Sequence, residues 1–123
     1  MKRLILMFGL LGQPVGAQEG VWLNGNDLHA WCSADTNSFS SAMCMAYVIG
    51  VMDGMRASWG YSRYLDAGSA VEAMQRPSCT PPGIIRAQAR DIVAEYLKSH
   101  PAERHEDAAY LIRRAMKEAY PCE

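Results

Sequence analysis

The stretch IIRAQARDIVAEYLKSHPAERHEDAAYLIRRAMKEAYPC, residues 84–122, decides the fold. In its first half Ile85, Ala89, Ile92, Val93 and Tyr96 recur at helical spacing. Arg86, Arg90, Asp91, Glu95 and Lys98 fall on the opposite, solvent side. That pattern predicts an amphipathic helix over 84–99. His100-Pro101 ends it, because the residue before a proline avoids the α region. In the second half Ala108, Leu111, Ile112, Ala115 and Ala119 form a further stripe, predicting a helix over 105–119 that Pro121 stops. Glu106 and Asp107 sit at its positive end, with Arg113, Arg114 and Lys117 towards its negative end, as the helix dipole favours. The link at 99–104 is short and the two helices are nearly equal in length, so they fold back as an antiparallel hairpin.

The hairpin chooses among the cysteine pairings. Four cysteines, Cys32, Cys44, Cys79 and Cys122, allow three connectivities. Cys79 precedes the first hairpin helix and Cys122 follows the second, so they meet at the same end. Cys32 closes a short upstream helix, and Cys44 lies early in the next helix across a short turn. The expected bonds are Cys32–Cys44 and Cys79–Cys122. The second closes the larger loop, worth about 4 kcal/mol on the loop-entropy account.

Upstream of Cys79 the pattern is helical as well, with no run of alternating β-branched residues. The turn cluster Asn24-Gly25-Asn26-Asp27 leads into a short helix over 27–33, with Asn26 as cap and Leu28, Trp31 and Cys32 on one face. Asn37 or Ser38 caps a longer helix reaching Trp59. Phe39, Met43, Tyr47, Val48, Val51, Met52, Met55 and Trp59 make that helix apolar on most sides, the mark of a central one. Gly50 and Gly54 share one of its faces, which predicts close approach of a neighbouring helix there. Asp53 and Arg56 are spaced to pair at its surface. Residues 60–78 are the least regular, with a brief helical segment at 70–75, and Pro81-Pro82-Gly83 lets no helix run through. The expected fold class is all-α, a small bundle of about four helices stapled by two disulfides.

The chain has 123 residues, half of them apolar and 20% charged, with a net charge of −1. Those values exclude a disordered chain and a strongly basic nucleic-acid binder. Lys2-Arg3, the apolar run Leu4 to Leu11, Pro14 and Val15-Gly16-Ala17 have the layout of a secretory signal peptide. The apolar run is too short to cross a bilayer, which takes ~20 residues. Cleavage after Ala17 is expected, leaving a helical domain over 18–123 of 106 residues in which 10 basic side chains face 13 acidic ones. Export to an oxidising space makes disulfides the default state of the cysteines.

Signatures of catalysis and cofactor binding are missing together. No Cys-x-x-Cys is present, so neither a c-type haem nor a thioredoxin-like site fits. Met43, Met45, Met52 and Met55 read as core padding rather than copper ligands, since Met43 and Met45 point to different sides of a helix. His29, His100 and His105 read as turn and capping groups, and no Gly-x-Ser-x-Gly elbow occurs. Basic residues are interleaved with acids, against nucleic-acid binding. No catalytic residue, metal or cofactor is expected, and the chain is read as a non-enzyme.

Several blocks together resemble one family. They are Asn24-Gly25-Asn26-Asp27-Leu28 leading to Cys32; Cys44-Met45-Ala46-Tyr47-Val48-Ile49-Gly50-Val51-Met52-Asp53; Cys79-Thr80-Pro81-Pro82-Gly83; and residues 87–122. The chain resembles the Rap/Tai family, small exported immunity proteins of bacterial type VI secretion systems. The match is weakest over 55–78. The resemblance implies a periplasmic, all-α, commonly homodimeric protein. It would bind a peptidoglycan amidase effector delivered by a sibling cell and block its cleft sterically, with no cofactor and no membrane attachment after leader removal. The alternative is a small disulfide-linked periplasmic helical chaperone or stress protein, or a family member with another binding partner.

No motif of the family marks the contact residues. The residues themselves point to Tyr61, Arg63, Tyr64 and Asp66, aromatic and Arg types enriched at binding hot spots, placed on an irregular loop. The competing reading has Tyr61 and Tyr64 covering the core beneath a long connection.

Overall fold

The computed structural model describes residues 22–123; the expected leader over 1–17 lies outside them. Among the described residues there are five α-helices, α1 (Gly25–Cys32), α2 (Phe39–Tyr64), α3 (Ser69–Gln75), α4 (Arg86–Ser99) and α5 (Ala108–Ala119), with a 3-10 turn at Pro101–Glu103. No strand is present among them; one isolated antiparallel bridge joins Asn24 and Asp107. The brief segment read at 70–75 is a true fifth helix. Both expected disulfides form, Cys32–Cys44 and Cys79–Cys122, each with Cα atoms 5.1 Å apart.

The core lies between the hairpin of α4 and α5 and the helices α1 and α2. Ala89, Val93, Tyr96 and Leu97 of α4 meet Ala108, Leu111, Ile112, Ala115 and Met116 of α5, with Leu28, Cys44 and Val48 closing the other side. Two expected stripe members are displaced. Ile85 is the N-cap of α4 and is 65% exposed, and Ala119 at the frayed end of α5 is exposed. Leu97 and Met116, which the stripes did not include, are buried in the core. The hairpin turn is braced by side chains. Tyr96 donates from its hydroxyl to Glu103 at 2.8 Å, Glu103 pairs with Arg114 at 3.0 Å, and Arg104 Nε donates to the Leu97 carbonyl at 2.6 Å.

The segment before α1 is fastened to that turn by backbone. Gly25 N–H donates to Glu106 O, Asn26 N–H to Arg104 O, and Ala108 N–H to Leu23 O, all at 2.9 Å. This docking starts α1 earlier than the sequence suggests and moves its cap from Asn26 to Asn24. The Asn24 side chain accepts from the amides of Asn26 and Asp27 at 2.8 and 3.1 Å, and the Asp27 carboxylate accepts from Asn24 N–H. That is a full capping box. Gly25 is buried, and a Cβ there would lie 2.8 Å from the Arg104 backbone and run into Leu111.

α2 departs most from expectation. Ser38 caps it, accepting from Ser41 N–H at 3.1 Å, but it runs to Tyr64 rather than Trp59, 26 residues or about 39 Å. Its apolar contacts with the core run only from Cys44 to Met52. Phe39 is 81% exposed, so α2 is not a helix buried on most sides. Gly50 and Gly54 face open space, and a Cβ at either would meet nothing within 4 Å. The close approach predicted there occurs instead at Gly25. No Asp53–Arg56 ion pair is present among the described residues, whose three pairs are Arg90–Asp91, Lys98–Glu95 and Arg114–Glu103.

These contrasts give opposite expectations for three glycines. Gly25→Ala should destabilise by about 1–3 kcal/mol through overpacking. Gly50→Ala and Gly54→Ala should each stabilise by about 0.5–1 kcal/mol, because a helical glycine is freed of its entropy cost without a clash. Thermal or urea unfolding of the three variants measures this. The Tyr96 hydroxyl also makes a pH expectation. Burial, and then the bond to Glu103, push its pKa up to about 12 from an ordinary 10. A folded pKa above the unfolded one contributes stability that is complete below pH 10 and lost as pH rises towards 12. Unfolding across that alkaline range should therefore show a decline that Tyr96→Phe reduces.

Candidate partner-binding surface

The residues singled out from the sequence gather at the far end of α2, but on a helix rather than a loop. The helix continues past Gly60 because Ser62 is buried there, its hydroxyl donating to the Trp59 carbonyl at 2.9 Å, and because α3 packs against this end. Tyr61 is 65% and Tyr64 82% exposed, so neither covers the core. Arg63 places its guanidinium 5.1 Å from the centre of the Trp59 ring. That contact holds the cation on a fixed aromatic support, within the ~6 Å at which such pairs attract.

Asp66 has a different part from the other three. Its φ is +49°, the left-handed conformation that follows a helix end. Ala67 N–H donates to Ser62 O at 3.0 Å and Asp66 N–H to Arg63 O at 3.2 Å. These two bonds complete the Schellman closure of α2, with Asp where glycine is usual. The chain then turns through Gly68, φ +92°, into α3.

The sequence reading missed three neighbours. Leu65 is 55% exposed, Val71 38% and Met74 70%. Val71 and Met74 are three apart on α3, a spacing visible once that segment is taken as helix. With Tyr61 and Tyr64 they make five large apolar side chains exposed at one end of the molecule. Such a gathering on fixed backbone is the usual mark of an interaction surface.

The histidines are occupied elsewhere. His100 stacks on Tyr96 with ring centres 4.1 Å apart, and its Nδ1 is 2.9 Å from the Tyr96 carbonyl oxygen. His105 Nδ1 lies 3.0 Å from the Ala102 carbonyl. Burial, and then the charge of Arg104, hold His29 below its ordinary range. All three serve turns and helix ends. No group of three or more His, Cys, Asp or Glu side chains able to hold a metal ion occurs among the described residues. No helix among them is long and apolar enough to cross a membrane.

A disulfide-stapled helical scaffold that presents aromatic and apolar side chains at one end defines a small binding module. The chain belongs to the family of Rap1a immunity proteins, whose family model matches residues 24–122. No curated protein and no solved structure gives a significant match. Membership makes the chain an immunity protein, whose partner is a secreted effector.

The left-handed Asp66 sets a prediction separate from binding. Asp66→Gly should raise stability by up to about 1 kcal/mol, because glycine adopts this conformation without the Cβ clash. An unchanged or lower unfolding midpoint would contradict the structural part given to Asp66.

Proposed function

We propose that the protein acts in the periplasm, where it binds and sterically blocks a peptidoglycan amidase effector delivered by type VI secretion. The observation that carries this reading is the exposed group Tyr61, Tyr64, Leu65, Val71 and Met74, with Arg63 beside it, on a chain of the immunity family. Tyr loses little side-chain freedom on binding, Arg63 is already held over Trp59, and both residue types are enriched at binding hot spots. A projecting helix end of this kind suits insertion into an enzyme cleft. Occlusion needs neither catalysis nor a cofactor. An N-terminal leader cleaved after Ala17 would deliver the chain to the periplasm, and two disulfides suit that oxidising space. The reading includes a homodimer, as the family resemblance implies.

The test is inhibition of the purified amidase effector on isolated peptidoglycan. Alanine at Tyr61, Arg63 or Tyr64 should weaken inhibition by about tenfold or more, the scale of a hot-spot truncation above 1.4 kcal/mol. Their unfolding midpoints should stay within about 2 °C of the parent, since all three side chains lie outside the core. Full inhibition by the triple variant would dismiss this surface.

A further inference from the structure

Beyond the apolar end, α5 and the exit of α3 bring three cations together. Arg113 and Lys117 are four apart on α5, so their side chains lie on one face of that helix. Arg76 is the C-cap of α3. The chain just after it is tied to the end of α5 by the Cys79–Cys122 bond, by Cys79 N–H donating to Tyr120 O at 3.1 Å, and by Pro77 O lying 3.6 Å from Cys122 Sγ. None of the three cations has a carboxylate partner among the described residues, whereas Arg114, on the other flank of α5, pairs with Glu103. Burial, and then the nearby charges of Arg113 and Arg76, draw the Lys117 pKa below its ordinary value. Like charges four apart on a helix destabilise it. The helix dipoles favour Lys117 in the last turn of α5 and Arg76 at the C-cap of α3, but not Arg113 in the middle of α5.

We propose that Arg76, Arg113 and Lys117 form a cationic docking surface for clustered carboxylate side chains, presented by an acidic segment of the effector protein. The proposal rests on the effector-binding reading and adds the charge character of the partner. The flanking groups fit a protein partner. Met74, two residues before Arg76, is 70% exposed, and Tyr110, three before Arg113, is 49% exposed with Arg114 5.6 Å over its ring. Met, Tyr and Arg are the types enriched in protein interfaces. Unpaired cations at the rim speed encounter with an acidic partner and select against basic ones. On this proposal the effector contact has two parts, an apolar one at the end of α2 and on α3 and a charged one at the exit of α3 and on α5.

The test uses a fluorescent octaglutamate peptide and the intact protein, read by anisotropy. The peptide should bind at low ionic strength and weaken as salt is raised through 0.2 M. Arg113→Gln/Lys117→Gln should weaken it by about tenfold or more, while the unfolding midpoint of that variant stays level or rises as like-charge repulsion is removed. Tyr61→Ala/Tyr64→Ala should leave peptide affinity unchanged, so loss of amidase inhibition and loss of carboxylate binding are read separately. No peptide binding, or equal binding by the double-Gln variant, overturns the proposal. Tighter, Arg113- and Lys117-dependent binding of inorganic phosphate or of phosphatidylglycerol vesicles overturns it too, since the surface would then serve phosphate groups.

Discussion

The closure of the α4–α5 hairpin by Cys79–Cys122 is the constraint on which the rest depends. The bond joins residues 43 apart in sequence, and on the loop-entropy account it removes about 4 kcal/mol of freedom from the unfolded chain. A domain of this size buries only roughly two thirds of its unfolded surface, so that contribution is large beside a typical net stability of about 5–15 kcal/mol. Its geometrical effect matters as much. It fixes the chain leaving α3 against the end of α5 and so sets where α3 stands. Cys32–Cys44 does the same at the other side, tying α1 to the start of α2.

With both ends held, the middle of α2 packs on the hairpin and its last turns project beyond it. Burial and the proposed partner contact are thereby separated along one helix. Cys44 and Val48 are fully buried in the core, while Tyr61 and Tyr64 stand in solvent. Replacing the exposed pair leaves the core untouched, which is why binding and stability are expected to separate.

The hairpin and both disulfides were legible in the sequence because they follow from local rules: period, breaker residues, and the ends to which short links bring the chain. The all-α class was legible for the same reason, whereas the family resemblance rested on the sequence blocks around the cysteines and the hairpin. Where the reading went astray, contacts distant in sequence decided the outcome. Gly25 is the tightly packed glycine because Arg104 and Leu111 press on it, and nothing in the turn cluster announces them. Gly50 and Gly54 have the spacing of a close helix contact but no neighbour. The helix read as ending at Trp59 runs on to Tyr64, where α3 packs against it. Tyr61, Arg63 and Tyr64 were singled out by residue type, and Leu65, Val71 and Met74, exposed as well, were not, because α3 was read only as a brief possibility. Asp66 was grouped with them by type, while its backbone gives it a helix-closing part.

The central claim is that one contact zone, from the end of α2 across α3 to the outer face of α5, receives the effector. Amide hydrogen exchange of the protein, alone and with its secreted effector bound, tests it most directly. Slower exchange confined to residues 59–76 and 110–117 is the predicted result. Protection at α1 and the 100–106 turn, with residues 59–76 unchanged, would contradict the account.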